Sequence, residues 1–186
     1  MKNAPAGWKI LSSKKMYGSP YLTVYEDMMD LAGRKKIYIR AKRLGYSTVV
    51  AFSDDGSILT IRSYRHIVDS HQLEVPAGYI DEGETPRQAA IRELEEETGY
   101  VAKKMMHAGS YTLDYSMFEQ TGHVFVAYGL QKAGRQKLSR MEKISKIEFL
   151  DQKRVEKLLL SGKILNAASI VALYKGLHYH RTRSRR

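Results

Sequence analysis

Four carboxylates stand at fixed spacings between Gly78 and Tyr100, in GYIDEGETPRQAAIRELEEETGY: Glu84, then Glu93, Glu96 and Glu97, with Arg92 beside them and Gly99 after them. Residues related by i, i+3 and i+4 share one face of an α-helix, so a helical segment here would present Glu93, Glu96 and Glu97 together. Like charges four apart destabilise an isolated helix, and Glu93 with Glu97 is such a pair, so this face calls for a cation. Arg92, one turn before Glu96, offers one counter-charge. Crowded carboxylates also match Mg²⁺ or Mn²⁺, hard ions that prefer oxygen ligands. The pattern therefore predicts either a divalent-metal site for phosphate chemistry or a solvated acidic helix face.

The residues around the acids set the limits of the helix. Thr85 can cap the first free N–H groups, Pro86 is pre-set for the first helical position, and Gln88 can reach back to close a capping box. Gly99 suits the left-handed conformation that ends helices, so the helix is predicted from about Pro86 to Thr98. Ala90, Ile91, Leu94 and Thr98 fall on a neighbouring face that can pack on a core.

The flanking glycines and Glu84 add what a lone acidic run lacks. The segment resembles, at every specified position, the box of the Nudix hydrolases, G-x5-E-x7-R-E-U-x-E-E-x-G-U with U apolar or aromatic: Gly78, Glu84, Arg92, Glu93, Leu94, Glu96, Glu97, Gly99 and Tyr100. Upstream, Ser63-Tyr64-Arg65-His66 and Leu73-Glu74-Val75-Pro76-Ala77-Gly78 resemble the ADP-ribose pyrophosphatase branch, and the likeness extends in outline over residues 8 to 175. It implies that Glu93 and Glu97 ligate the metal, that Glu96 ligates or holds a bridging water, and that the backbone carbonyl of Ala77 joins them. Arg92 is then the group that orients the glutamates, Glu84 supports the helix, and Gly78 makes a turn.

The implied reaction is metal-dependent hydrolysis of the pyrophosphate bond of a nucleoside diphosphate sugar, with ADP-ribose the leading substrate. Arg65 is the first candidate for phosphate or ribose contact, set against a surface ion pair with an acid such as Asp69. Glu74 is a candidate acceptor for ribose or adenine, and Tyr38 a candidate to stack a base. Where the ADP-ribose branch carries a proline in a loop beyond the box, this chain has Leu113-Asp114-Tyr115-Ser116. A tyrosine there resembles diadenosine polyphosphate hydrolases, which makes Tyr115 a substrate candidate and that activity the alternative. A reading of another class is a catalytically silent nucleotide- or RNA-binding module. In the resembling branch a late loop supplies the general base, and between Gly134 and Lys143 the only acid is Glu142; Glu119 and the box glutamates are its alternatives.

Composition fits a soluble enzyme. The 186 residues with 43% hydrophobic content suffice for one substantial core. Zero cysteines leave no disulfide framework and agree with a cytoplasmic location. No long uncharged apolar run suggests a membrane span. The net charge of +11 is partly placed in the last residues, where His178 to Arg186 hold four arginines, so residues 177–186 read as a disordered basic tail. That tail either solubilises the chain or holds polyanions weakly; nucleic acid is not expected as a partner.

Strands must position the box. Trp8–Leu11, Tyr21–Tyr25 and Lys36–Arg40 alternate as strands, Thr48–Phe52 and Ile58–Arg62 form a hairpin about Asp54-Asp55-Gly56, and Lys103–Tyr111, His123–Leu130 and Lys146–Leu150 follow. Helices are predicted from Lys153 to Leu160, capped by Asp151, and from Ala167 to Gly176. The fold class is α/β (α+β), the Nudix α/β/α sandwich with a mixed sheet and an extra amino-terminal strand region. Residues 1–45 are expected to build a homodimer and part of the substrate pocket, and residues 46–176 the hydrolase domain.

Overall fold

Apolar residues at alternate positions before Arg43 become three strands, β1 (Trp8–Gly18), β2 (Leu22–Leu31) and β3 (Lys35–Arg43), in a computed structural model that describes residues 3–139 and 143–183. Then follow β4 (Tyr46–Ala51), β5 (Ile58–Arg65), β6 (Ser70–Glu74), β7 (Ala77–Tyr79), α1 (Pro86–Thr98) and β8 (Tyr100–Thr112). The chain continues with β9 (Phe118–Glu119), β10 (Thr121–Lys132), β11 (Ile144–Leu150), α2 (Gln152–Leu160) and α3 (Ala167–Arg183). The backbone divides into two units, residues 1–44 with 112–121, and residues 45–111 with 122–186.

The first unit is a four-stranded sheet in the order β1-β2-β3-β9. Its first three strands pair antiparallel, and β9 lies parallel to β3 through Ala41 and Lys42. The register puts Val24, Met28, Ile37 and Ile39 on one face. Ile37 and Ile39 are exposed there, as is β1 along its whole length. The amino-terminal unit thus recruits residues 112–121, which the sequence boundary at residue 45 leaves out, because a two-residue strand carries no periodic signal.

The second unit holds two sheets, β7-β4-β10-β8 and β11-β5-β6. The first is mixed, β4 running parallel to β10 and antiparallel to β7. Strand β4 is buried on both faces from Ser47 onward, and its second half, Val49-Val50-Ala51, is an apolar run of the kind such strands carry. Val49 and Ala51 pack with Ala90 and Leu94 of α1. Val50 packs on the opposite side with Ala172, Leu173 and Leu177 of α3. This is the sandwich expected from the sequence, with α1 and α3 on opposite faces.

Residues 177–183, read from the sequence as the start of a disordered tail, are instead the last turns of α3. Leu177 is buried, and the His180 ring stacks on Phe52 at 4.2 Å between centroids. Two residues with apolar surface anchor a segment whose arginines dominate its composition. Among the described residues, no helix is long and apolar enough to cross a membrane.

Candidate active site

Helix α1 begins and ends as its sequence dictates. The Thr85 hydroxyl accepts from the Gln88 backbone N–H at 3.3 Å, the Gln88 side chain accepts from the Thr85 N–H at 2.9 Å, and Pro86 opens the helix. Gly99 closes it at φ +69°, and its N–H donates to the Glu95 carbonyl. A capping box of this kind stabilises by about 1 kcal/mol and fixes which residues face the sheet. Ala89, Ala90 and Leu94 face inward, and the same register buries Glu93 and Glu97 at 6% and 4% exposure.

Arg92 organises the acids. Its Nη1 donates to Glu93 Oε1 at 2.6 Å and to Glu96 Oε2 at 3.2 Å. Its Nε and Nη2 form a fork on the two oxygens of Glu84 at 3.0 and 2.9 Å, and Nη2 also reaches the Tyr79 carbonyl at 2.9 Å. Bidentate pairing holds a guanidinium in one orientation, so Glu84 aims Arg92 and Arg92 aims the helix carboxylates. The Glu84 carboxyl is held below its usual range, chiefly by the Arg92 hydrogen bond. Glu84 also accepts from the Asp81 N–H at 3.1 Å, which ties the loop before the helix into the same group.

Glu97 faces β7. Its Oε2 accepts from the Ala77 N–H at 2.8 Å. The Ala77 carbonyl in turn accepts from the Tyr46 hydroxyl at 3.4 Å. Tyr46 is absent from the sequence-derived candidates, because a tyrosine opening an apolar strand carries no signal of function. Burial, with the Glu97 charge second, pushes its phenol up and keeps it a neutral donor.

Arg65 and Glu74 belong to the paired strands β5 and β6, and the long arginine side chain reaches Glu74 although the ladder sets Glu74 opposite Ile61. Arg65 Nε and Nη2 donate to the two Glu74 oxygens at 2.9 and 2.5 Å. Asp69, the partner weighed from the sequence, accepts from the Tyr64 hydroxyl at 2.6 Å instead. Glu74 is only 2% exposed, whereas the Arg65 side chain is 41% exposed, so the arginine keeps an open side. The Glu74 hydrogen bonds raise Arg65 above its ordinary value against the effect of burial, and the Glu97 charge adds to this.

Tyr38 and Tyr115 belong to the amino-terminal unit. The Tyr38 hydroxyl donates to the Ser116 carbonyl, and Tyr115 is 91% exposed. Both line a cleft of about 290 Å³ with Arg40 and Glu119. Glu119 is engaged by Arg40 at 2.8 Å and by Lys42 at 3.6 Å. Glu142 lies outside the described residues.

The donors available for a metal are the carboxylates of Glu93, Glu96 and Glu97 and the Ala77 carbonyl, all hard oxygen atoms suited to Mg²⁺ or Mn²⁺. Among the described residues no three His, Asp or Glu side chains converge on a single point. The Arg92 guanidinium bridges Glu93 and Glu96, filling the role of a cation between them. The donor set thus fits a divalent ion by its chemistry and by the positive charge already drawn to it.

A model of the NUDIX domain matches residues 42–170. An ADP-ribose pyrophosphatase of Bacillus subtilis (strain 168) is 27% identical over 174 residues, covering 89% of this chain and 90% of that protein. An ADP-ribose pyrophosphatase of Mycobacterium tuberculosis is 24% identical over 168 residues, covering 89% of this chain and 80% of that protein. A methanol dehydrogenase activator of Bacillus methanolicus is 36% identical over 88 residues, 47% of this chain and 48% of the relative. The crystal structure of an ADP compounds hydrolase superposes with a TM-score of 0.85 at 23% identity, covering 99% of this chain and all of the other.

Proposed function

The chain belongs to the Nudix hydrolase family, and from that premise we propose that it cleaves the pyrophosphate bond of ADP-ribose, giving AMP and ribose 5-phosphate. The observation that carries this reading is the cluster in which Arg92 holds Glu84, Glu93 and Glu96 together while Glu97 meets the Ala77 backbone, a set of hard oxygen donors suited to a metal that binds diphosphate. Relatives named ADP-ribose pyrophosphatase that align over nine-tenths of the chain support the same substrate.

Glu93, Glu96, Glu97 and the Ala77 carbonyl would hold Mg²⁺, with Mn²⁺ as a substitute. A bound divalent ion supplies neutralisation of the diphosphate charge and lowers the pKa of a water. Arg92 keeps the carboxylates in register, and Arg65 meets the phosphate or ribose through its open side. Glu142 is assigned to accepting the proton of the attacking water. One water attacks one phosphorus of the P–O–P bridge, its hydroxyl staying on that phosphorus and its proton passing to the base, while the bridging oxygen leaves with the electron pair as part of the other phosphate.

Purified protein incubated with Mg²⁺ and a panel of nucleoside diphosphate derivatives should turn over ADP-ribose fastest, and EDTA should abolish the activity. Faster cleavage of diadenosine polyphosphates would move the assignment to the reading suggested by Tyr115. Salt-sensitive RNA binding without metal-dependent turnover would move it to the silent binding module.

The amino-terminal sheet is assigned to homodimerisation. Ile37, Ile39 and Tyr17 are exposed large apolar side chains on it, and such surface in quantity marks contact sites. Sedimentation velocity at micromolar concentration should give the mass of a dimer. A fully active monomer overturns this assignment. With no cysteine in the chain, no disulfide is needed for its fold, which is compatible with a cytoplasmic setting.

A further inference from the structure

The last turn of α1 poses an electrostatic problem that α1 itself does not solve. The final carbonyls of an α-helix have no partner within it, and the macrodipole makes that end negative. Here the same end carries Glu93, Glu95, Glu96 and Glu97, and no basic residue lies in the last turn of the helix. Compensation comes from a distant part of the sequence, the end of β10 and the segment after it. Lys137 N–H donates to the Glu96 carbonyl at 2.8 Å, Gln136 Nε2 to the Glu97 carbonyl at 2.6 Å, and Lys132 Nζ to the Thr98 carbonyl at 2.9 Å. Ala133 and Gly134 N–H groups both donate to the Gly99 carbonyl, at 2.9 and 3.2 Å. Four consecutive carbonyls thus receive donors from residues 132–137.

We propose that Gln136 and Lys132 are positioning residues for the carboxylates of α1, acting from outside the helix through its terminal carbonyls. Gln136 is the more direct of the two, because the carbonyl it holds belongs to Glu97, whose side chain points at Ala77. Lys132 is fixed at a second point, with its ammonium 4.5 Å from the centre of the Tyr100 ring. Lys137 also pairs with Glu95 at 2.7 Å, but that pair is solvent-exposed and contributes little. Its backbone N–H does the capping, so its side chain is dispensable.

For metal binding and turnover the inference rests on the reading given above; for the order of the helix end it stands alone. The test compares Gln136→Ala, the isosteric Gln136→Glu, Lys132→Met, Lys132→Arg and Lys137→Ala by three measurements. These are Mn²⁺ affinity without substrate, native-state hydrogen exchange of the α1 amides, and kcat and KM for ADP-ribose. Gln136→Ala and Gln136→Glu should each weaken Mn²⁺ about tenfold, as losing a residue that orients a ligand does, and lower kcat similarly with little change in KM. Exchange should quicken in the last turn of α1. Lys132→Met should follow in the same direction, while Lys132→Arg and Lys137→Ala stay within about twofold of the parent, as expected for a retained donor and a weak surface pair. Unchanged affinity and exchange in both Gln136 variants overturn the proposal. Full retention in Gln136→Glu alone also overturns it, by replacing donation with packing. If the parent protein neither binds Mn²⁺ nor turns over ADP-ribose, the functional reading falls, and the exchange arm still decides whether the segment orders the helix end.

Discussion

Glu97→Gln should lower the turnover of ADP-ribose by about 10³-fold at saturating Mg²⁺, the upper range for removing one electrostatic stabiliser. The Glu97 carboxylate is buried, and one of its oxygens is fixed by the Ala77 N–H at 2.8 Å. The amide variant loses the formal charge, and it must also present its remaining oxygen to that N–H, which turns its NH₂ towards the site. Charge and geometry are lost together. Glu84→Gln should cost only about tenfold, because Glu84 acts through Arg92 and one of its two accepting oxygens survives as the amide oxygen. Steady-state kinetics of both variants over a range of Mg²⁺ separates them. Similar small losses at both positions would remove Glu97 from its role.

The parts of the site that were legible from sequence are those governed by local rules. The helix limits at Thr85 and Gly99 follow from capping chemistry, and the placing of Glu93, Glu96 and Glu97 on one helix follows from their spacing. The parts that were not legible depend on residues brought together by the sheets. Arg65 and Glu74 are each legible as candidates, but their pairing is a side-chain contact made along the β5–β6 hairpin, where the register sets Arg65 opposite Ser70 and Glu74 opposite Ile61. Tyr46 and Gln136 carry no compositional signal at all; one opens a strand and the other lies in a polar loop. The strand at residues 118–119 and the helix at residues 177–183 leave no pattern in the sequence, because two residues have no period and a run of cations masks the anchoring of Leu177 and His180.

The two glycines of the box separate cleanly by what a methyl group would meet. Gly78 reads from sequence as a turn residue, yet it lies within β7, pairing with Ser47 of β4. A Cβ there would stand 1.9 Å from Glu93 Oε1 and 2.2 Å from its Cδ. The clash is with the end of a side chain, so the carboxylate yields and the backbone need not. Gly78→Ala should therefore keep the fold, with a melting temperature within a few degrees of the parent, as about 1 kcal/mol implies for a domain of this size. Turnover should nevertheless fall by about 10²-fold, because displacing Glu93 removes a proposed ligand and the 2.6 Å contact that Arg92 makes with it. Gly99→Ala should do the reverse. At φ +69° an alanine is strained, and its Cβ would meet the Gly134 carbonyl oxygen at 2.4 Å, a backbone atom with less freedom to move. Its main effect should be on stability, and activity should suffer only as the helix end loosens. Thermal denaturation and kcat measured on both variants check the pair. An inactive Gly78→Ala protein that is also unfolded, or one that is folded and fully active, would contradict the assignment of Gly78 as the space into which the Glu93 carboxylate fits.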